Sequence, residues 1–312
     1  MVMSEYSNNA ERPSGAFPTI DATGDVPEHL RYLDRWTPAA FEVEVVGRAR
    51  TDLSDATKHA NCPPWVARRR KPKRIAPQPV PMRVTHHGVD LDPIAGIFQP
   101  DDRRTYHDTS YPWGLVCKIR SGLINGSGSI VGPRHVLTAS HCVDWSGQPG
   151  TVDVHRNGGF VSAISAITKA YCYTPITGDP TTTTLDEDYA VLVTADRIGE
   201  RFGEFGVRTY DAGWDDDPVW ASIGYATDIA SGNSPIFQLR KWMDEDEWDL
   251  GSGRAMTTDA DFARRQSGSP FFADWPEGPY VTAVASAIGG DNWCSGGSDL
   301  TRLVNFAIAN SP

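Results

Sequence analysis

Three separate stretches of the chain each contain one side chain suited to nucleophilic catalysis. GPRHVLTASHC ends an apolar run with His141, LDEDYAVLV sets Asp188 directly before a strand-like run, and RRQSGSPFF places Ser267 between Gln and Gly. A serine hydroxyl is a weak nucleophile until a neighbouring imidazole takes its proton, and the imidazole needs a carboxylate to fix its tautomer. The pattern predicts Ser267 as a nucleophile, His141 as its general base and Asp188 as the carboxylate that orients His141.

Two neighbouring carboxylates, Asp186 and Glu187, compete with Asp188 for the last role. Asp188 is favoured because the apolar run begins directly after it, which is expected to bury its side chain. Asp186 and Glu187 are expected to lie in a solvated turn at the rim.

The elements that must position these residues are predicted to be β-strands from Tyr111 onward. Gly, Pro, Asn and Asp separate short runs of β-branched and aromatic residues, as in a barrel or sandwich. The end differs, because apolar residues at 300, 303, 304, 307 and 308 share one helical face, with Ser298 as a candidate cap. The predicted strands are 114–119, 128–131, 136–139, 159–166, 189–195, 218–225, 236–243, 270–273 and 280–285.

The order His, Asp, Ser within TASHC, DYAVL and QSGSP resembles the trypsin-like serine peptidases of the chymotrypsin fold, and is most similar to their bacterial glutamyl-endopeptidase branch. Spacings of 47 residues from His141 to Asp188 and 79 from Asp188 to Ser267 suit two successive barrels. The resemblance implies an all-β fold of two antiparallel six-stranded barrels with a carboxy-terminal helix, and a triad in the cleft between them. It implies a serine endopeptidase that works through an acyl-enzyme.

The resemblance also implies an oxyanion hole made by the backbone N–H groups of Ser267 and of the residue two before it, Arg265. The family almost always has Gly at that second position, because its backbone conformation is poorly tolerated by residues with a Cβ. Loss of one donor costs about 10²–10³ in turnover. Arg265 therefore motivates an alternative, a catalytically impaired protein of this fold that acts as a binding module.

Specificity is predicted from the residue six before the nucleophile, which often lies at the base of the primary pocket in this fold. Asp261 occupies that place, and a buried carboxylate there would favour Arg or Lys by charge-assisted hydrogen bonds. Asp259 or the bulky Phe262 would occupy the pocket if the loop register differed.

A strand beside the pocket is expected to pair with the substrate backbone through Ala285, Ser286 and Ala287. The glutamyl branch presents a histidine just before a serine on this strand. Because this chain has Ala285 before Ser286, a preference for Glu is not supported.

The five cysteines leave at least one thiol unpaired. In the related peptidases the cysteine after the catalytic histidine pairs with one 16 residues earlier, which here is Gly126. Cys117, on the preceding strand of the same hairpin, is the nearest substitute, and a disulfide between Cys117 and Cys142 is predicted. Cys172 and Cys294 are candidates for a second bridge. The alternative is five reduced cysteines.

Composition indicates a globular chain. Of its 312 residues 39% are hydrophobic, and the net charge is −11. The part through residue 96 has 13 basic and 12 acidic residues, which leaves 16 basic and 28 acidic residues beyond it. This acidic balance argues against nucleic acid as a partner of the catalytic part. A peptide or protein substrate, a monomer, no metal and no cofactor are expected, with the acidic clusters at 215–217 and 244–249 as solvated turns.

No run approaches the roughly 20 apolar residues of a membrane helix, so no membrane partner is expected. The first residues, MVMSEYSNNAERPSG, lack the apolar core of a signal peptide. The resemblance nevertheless implies secretion, as is usual in the family.

The chain is predicted to divide into an amino-terminal prosegment, residues 1–96, and a peptidase domain, residues 97–312. The prosegment is rich in Pro and charge and is expected to be extended or loosely folded, with a short helix near 26–36. Its basic stretch ARRRKPKRIAPQP has three interpretations: a solvated linker, a processing site, or a nucleic-acid patch.

IFQPDDR, which begins at Ile97, resembles the mature amino terminus of several glutamyl endopeptidases. We therefore expect maturation between Gly96 and Ile97, with a rise in activity. The mammalian device, in which the new terminal amine pairs with an Asp just before the nucleophile, is excluded because Gln266 occupies that position. Activation would then remove a steric block or dock the new terminus elsewhere.

Overall fold

A computed structural model of the chain describes residues 11–13, 19–33, 37–47, 53–76, 85–86, 89–90, 95–98, 100–245, 252–289 and 291–312. The helices are α1 (Glu28–Arg31), α2 (Ile198–Phe202) and α3 (Ser298–Asn310), and short 3₁₀ turns lie at Trp113–Leu115, Ser140–Cys142, Leu185–Glu187, Ala212–Trp214 and Ala230–Gly232. The strands are β1 (Glu42–Val45), β2 (Thr85–His86), β3 (Val89–Asp90), β4 (Ala95–Gly96), β5 (Arg104–Thr105), β6 (Val116–Ser121), β7 (Ile124–Gly132), β8 (His135–Thr138), β9 (Gly150–Val154), β10 (Ala163–Cys172), β11 (Ala190–Thr194), β12 (Gly206–Val207), β13 (Trp220–Gly224), β14 (Ile236–Lys241), β15 (Met243–Asp244), β16 (Gly253–Thr258), β17 (Phe262–Ala263), β18 (Pro270–Trp275), β19 (Gly278–Gly289) and β20 (Asp291–Gly297).

The first sheet closes into a six-stranded barrel. Its strands follow the order β10, β11, β8, β7, β6, β9, and β9 pairs again with β10. Side chains such as Leu115, Val136, Val152 and Leu192 are fully buried inside it. Closure removes the free strand edges that a small sheet would otherwise expose.

The second sheet curls into a half-barrel with the order β15, β16, β20, β19, β18, β13, β14, β5. A cluster of aromatic rings packs against this sheet. The ring centroids of Trp214, Trp220 and Trp275 lie within 6.0 Å of one another. Helix α3 follows β20 and buries Leu300, Leu303 and other apolar residues on one face.

Every predicted strand overlaps an observed one, and the carboxy-terminal helix is confirmed. Ser298 is its first residue, however, and makes no side-chain cap, because Gly297 takes the N-cap position with a φ of 90°. Among the strands of five or more residues, the prediction missed β9, β16 and β20. Their sequences GTVDV, GRAMTT and DNWCSGG carry Gly and polar residues that weaken the strand signal.

The described part of the amino-terminal region packs against the barrels. Strand β1 pairs in parallel with β10, and the backbones of Lys58 and Asn61 bridge to Val207 and Glu204. The Lys58 ammonium also lies 2.6 Å from the Glu204 carboxylate in a mostly buried ion pair. The loosely folded state predicted for this region is therefore wrong for these residues, whereas a short helix is found at α1.

The basic stretch from residue 67 has its backbone hydrogen-bonded on two sides. Arg68 bridges to Ile20 and to Tyr111, and the Arg69 N–H donates to the Tyr111 carbonyl at 3.0 Å. A backbone bonded in this way is not a solvated linker, which was one of the three interpretations of this stretch. Residues 77–79 of the stretch lie outside the described residues. No helix in the described part of the chain is long and apolar enough to cross a membrane.

Two buried histidines make the free energy of unfolding depend on pH in the acidic range. Burial lowers the pKa of His135 and of His155 to about 4 in each case. Since an unfolded histidine titrates near 6.5, each ring contributes nothing to the pH dependence well above that value and destabilises the fold increasingly as pH falls from 6.5 toward 4.

His135→Gln, which keeps a donor for the Ala307 carbonyl, is expected to remove one of these two contributions. Between pH 7 and pH 5 the wild type should lose about 2 kcal/mol more unfolding free energy than the variant. Urea unfolding at both pH values measures this difference. Equal losses in the two proteins would show that His135 is not buried in its neutral form.

Candidate active site

A cleft between the two sheets brings together the three residues predicted for catalysis. His141 and Ser267 both line it, and Asp188 lies directly behind His141. The described lining residues are Leu123, Asn125, His141, Asp179, Pro180, Thr227, Ala263, Arg264, Arg265, Ser267, Ser286, Ala287 and Ile288.

His141 is held by Asp188 through two hydrogen bonds. It lies in the 3₁₀ turn that follows β8, while Asp188 precedes β11, the partner of β8 in the barrel. The His141 backbone N–H donates to Asp188 Oδ1 at 3.0 Å, and His141 Nδ1 lies 2.6 Å from Oδ2. The neighbouring strands therefore fix both the position and the orientation of the imidazole.

The Asp188 carboxylate is fully buried, and it also accepts a hydrogen bond from Ser286 Oγ at 2.5 Å. Burial alone would raise its pKa, but His141 and the hydrogen bond from Ser286 outweigh burial and lower the pKa. Burial likewise disfavours the charged form of His141, yet Asp188 raises the pKa of His141 well above its ordinary value. The pair is thus built to stabilise a protonated imidazole.

Asp186 and Glu187 do not lie in a solvated turn, and this prediction is wrong. Both side chains are buried, and Glu187 Oε2 accepts a hydrogen bond from Thr174 Oγ1 at 2.7 Å. The 3₁₀ turn that contains them packs against β16 and β20, two strands that the sequence prediction missed.

Ser267 follows Gln266 at the end of a tight loop that begins at Asp261. Its Oγ lies 3.4 Å from the Ser286 carbonyl oxygen, a long hydrogen bond. Gly268 has a φ of 83°, and a Cβ there would lie 2.2 Å from the Ser127 carbonyl oxygen. Only glycine fits behind the nucleophile, so the SGS sequence is required by close packing.

Arg265 adopts the left-handed backbone conformation, with a φ of 73°. The loop around it is held by Ser127 Oγ, which donates to the Arg265 carbonyl at 2.7 Å, and by Thr227, whose N–H donates to the Arg264 carbonyl at 2.9 Å. Within the described residues, the N–H groups of Arg265 and Ser267 donate to no protein acceptor. A residue with a Cβ thus takes a conformation that normally requires glycine, and two backbone donors beside the cleft stay uncommitted.

Asp261 does not offer its carboxylate to the cleft, and its predicted role at the base of the primary pocket is corrected. The side chain is 1% exposed, and its oxygens accept from the N–H groups of Phe98 at 2.7 Å and Asp102 at 3.2 Å. Burial raises its pKa to about 6. Backbone donors of Phe98 and Asp102 therefore occupy the carboxylate that was predicted to bind a substrate side chain.

The strand predicted to pair with substrate is the end of β19. Ser286 and Ala287 line the cleft, whereas Ala285 is buried and its N–H donates to the Ser269 carbonyl at 2.8 Å. Sequence reasoning assigned Ser286 only a backbone role and missed its hydroxyl contact with Asp188. The available signal was a serine among small apolar residues in YVTAVASA.

The predicted disulfide between Cys117 and Cys142 is wrong, because all five cysteines are free thiols. A Cβ built on Gly126 would lie 2.4 Å from Cys142 Sγ, so residue 126 does face Cys142 as the resemblance implied. On the neighbouring strand Ile119 pairs with Gly126, while Cys117 pairs with Gly128. The register therefore places Cys117 two residues too far along the strand. The candidate pair Cys172 and Cys294 is not bridged either.

Comparison with known proteins shows which family and which fold this chain resembles. The trypsin family model matches residues 101–298, more than half of the chain, whereas no curated protein sequence matches it. A solved Glu endopeptidase in complex with MPD is similar with a TM-score of 0.56 and 19% identity, over 68% of this chain and 99% of that one. A thermostable serine protease from an extremophilic microorganism gives a TM-score of 0.50 and 16% identity, over 64% and 99%. These similarities confirm the predicted chymotrypsin-like fold.

Proposed function

The chain belongs to the trypsin family of serine endopeptidases, and on that premise we propose that Ser267 cleaves peptide bonds through an acyl-enzyme. His141 acts as the general base and Asp188 as the carboxylate that holds it. The observation that supports this most directly is the pair of hydrogen bonds between His141 and Asp188 beside the cleft that Ser267 lines.

In the first half of the reaction, Ser267 Oγ attacks the carbonyl carbon of the substrate while His141 takes the hydroxyl proton. The carbonyl oxygen becomes negatively charged, and the N–H groups of Arg265 and Ser267 donate to it. His141 then gives its proton to the leaving amine, which departs and leaves an ester between Ser267 and the acyl part of the substrate.

In the second half, water attacks the ester carbonyl and His141 accepts a proton from that water. Collapse of the second tetrahedral intermediate expels Ser267 Oγ, which regains its proton from His141. Asp188 stays ionised throughout and stabilises the charged imidazole in both halves. Since its two oxygens already accept from His141 and Ser286, no rearrangement is needed when the imidazole becomes charged.

Activity is expected to rise with pH through the titration of His141, because only the neutral imidazole accepts a proton. Asp188 raises the pKa of His141, so the midpoint of kcat/KM against pH should lie above the ordinary histidine value of 6.5. A midpoint below 6.5 would contradict the proposed electrostatics. The measurement is kcat/KM for a peptide substrate from pH 5 to 10.

The acyl-enzyme is tested by burst kinetics with a p-nitrophenyl ester. If deacylation is slower than acylation, the full-length protein should release one p-nitrophenol per active site before the steady state. Mass spectrometry of the quenched protein should find the acyl group on Ser267. A folded protein that binds peptides but neither forms the adduct nor hydrolyses ester or peptide would favour the alternative, a binding module of this fold.

The binding-module alternative was motivated by Arg265, which stands where the family almost always has glycine. Its φ of 73° argues that the residue reaches the backbone region that the family assigns to glycine. The enzyme interpretation is therefore the one that we propose, with peptides or proteins as substrates.

A further inference from the structure

A buried arginine lies beside the loop that precedes the nucleophile. Arg103 is 0% exposed, and its guanidinium makes two hydrogen bonds to Asp101, at 3.1 and 2.8 Å, and two to Asp228, at 3.1 and 2.6 Å. Its Nη1 also donates to Gln266 Oε1 at 2.9 Å. The two carboxylates already pair with the charge of the guanidinium. The hydrogen bond to Gln266 is therefore not needed to neutralise that charge.

Gln266 is buried and closes the loop on itself. Its Oε1 accepts from the Ala263 N–H at 2.8 Å as well as from Arg103, and its Nε2 donates to the Asp261 carbonyl at 2.8 Å. Together these hydrogen bonds engage both polar atoms of the side chain and hold it in one position. Because Gln266 directly precedes Ser267, fixing its side chain fixes the backbone on both sides of it.

The part of the chain around Arg103 also holds the other end of the loop. Phe98 and Asp102 donate their N–H groups to the Asp261 carboxylate, and the Asp102 side chain pairs with Lys241 at 2.8 Å. Strand β5, which follows directly, pairs with β14 and anchors the segment to the second sheet. The segment therefore makes hydrogen bonds to both ends of the loop, to Asp261 at its start and to Gln266 at its end.

From these contacts we infer that Arg103 is a positioning residue for the oxyanion hole, acting through Gln266 on the backbone of Arg265. The inference rests on the proposed function, since it assigns a role to the Arg265 N–H. A non-glycine residue at positive φ persists only where its surroundings over-determine its conformation. Arg103 and the N–H groups of Phe98 and Asp102 supply that constraint from outside the loop, and Gln266 transmits the contact of Arg103.

The contacts that hold the loop are all present while the peptide bond between Gly96 and Ile97 is intact. Asn292 Nδ2 donates to the Gly96 carbonyl at 2.7 Å, and the contacts of Phe98, Asp102 and Arg103 all lie on the far side of that peptide bond. Loop positioning by Arg103 consequently does not require a new terminal amine. Cleavage at this bond, which stays a prediction, would leave Arg103 in the catalytic domain.

Two variants of the full-length protein test the inference. Gln266→Met removes the acceptor of Arg103 while the arginine keeps both carboxylates. Arg103→Lys keeps a positive charge between the carboxylates but loses the planar fork that reaches Gln266. Each should lower kcat 10–100-fold with KM changed less than threefold, and the double variant should lose no more than the worse single one. A peptide aldehyde, whose adduct places an oxyanion in the hole, should lose affinity by a similar factor.

Lys58→Met is the matched control, because it breaks another mostly buried ion pair, and among the described residues Lys58 has no hydrogen bond or ion pair with the loop. It should lower the unfolding temperature without changing kcat or aldehyde affinity by more than threefold. Unchanged kcat and aldehyde affinity in both loop variants, or equal losses in Lys58→Met, would overturn the role of Arg103. Failure of the proposed function would be distinct, since the wild type itself would then neither hydrolyse peptides nor bind the aldehyde.

Discussion

Replacing Ser267 with alanine is expected to lower kcat for a peptide substrate about 10⁶-fold, the size of effect seen when a serine nucleophile is removed. The alanine variant keeps the cleft, the His141–Asp188 pair and the backbone donors, so KM should change little. Only the atom that forms the covalent bond is lost. Initial rates with a fluorogenic peptide measure the effect.

Ser269→Ala is the control for this change. Ser269 lies two residues further along the same SGS sequence, is buried, and has a hydroxyl without a hydrogen-bond partner among the described residues. Its removal should leave kcat within about threefold. If Ser267→Ala retained a tenth of the wild-type activity, the nucleophile would have to be another group.

Replacing Asp188 with asparagine is expected to lower kcat about 10⁴-fold at neutral pH. The amide is nearly the same size, so the fold should be kept, but its NH₂ favours the wrong tautomer of His141 and it carries no charge to stabilise the imidazolium. The apparent pKa of His141 in kcat/KM should also fall, because Asp188 is the main group that raises it.

Asp186→Asn provides the comparison for Asp188→Asn. Asp186 is also a buried carboxylate, two residues earlier, and the hydrogen bonds to His141 come from Asp188 instead. Its kcat should stay within tenfold of the wild type, whatever happens to its stability. A larger loss of activity in Asp186→Asn than in Asp188→Asn would reverse the assignment of the carboxylate.

Local sequence was sufficient to predict the parts of the site that depend on neighbouring residues. Each of the three predicted catalytic residues is identified by a short motif, and the strand beginning after Asp188 correctly predicted its burial. The strands themselves follow from runs of β-branched and aromatic residues. These features need no knowledge of how distant segments meet.

The errors arose where strand register and distant contacts decide the outcome. Cys117 was predicted to bridge Cys142 from its place in a hairpin, yet a shift of two residues puts Ile119 opposite Gly126 instead. Asp261 was assigned to the substrate pocket, but backbone donors from residues 98 and 102 occupy its carboxylate.

The role proposed for Arg103 was equally hidden from the sequence. It depends on a contact with Gln266 across 163 residues, and nothing in the local sequence of either residue indicates the other. The DDR sequence indicates only a candidate mature terminus. Long-range hydrogen bonds of buried polar groups follow from the assembled fold, because each such group must find its partner there.

The central claim is an activated Ser267 beside a working oxyanion hole, and a fluorophosphonate probe tests it most directly. The probe forms a covalent bond with a serine only where a base and an oxyanion hole activate that serine. The full-length wild type should be labelled on Ser267, and Ser267→Ala should not be labelled. A folded wild type that stays unlabelled, or that is labelled on another serine, would contradict the account.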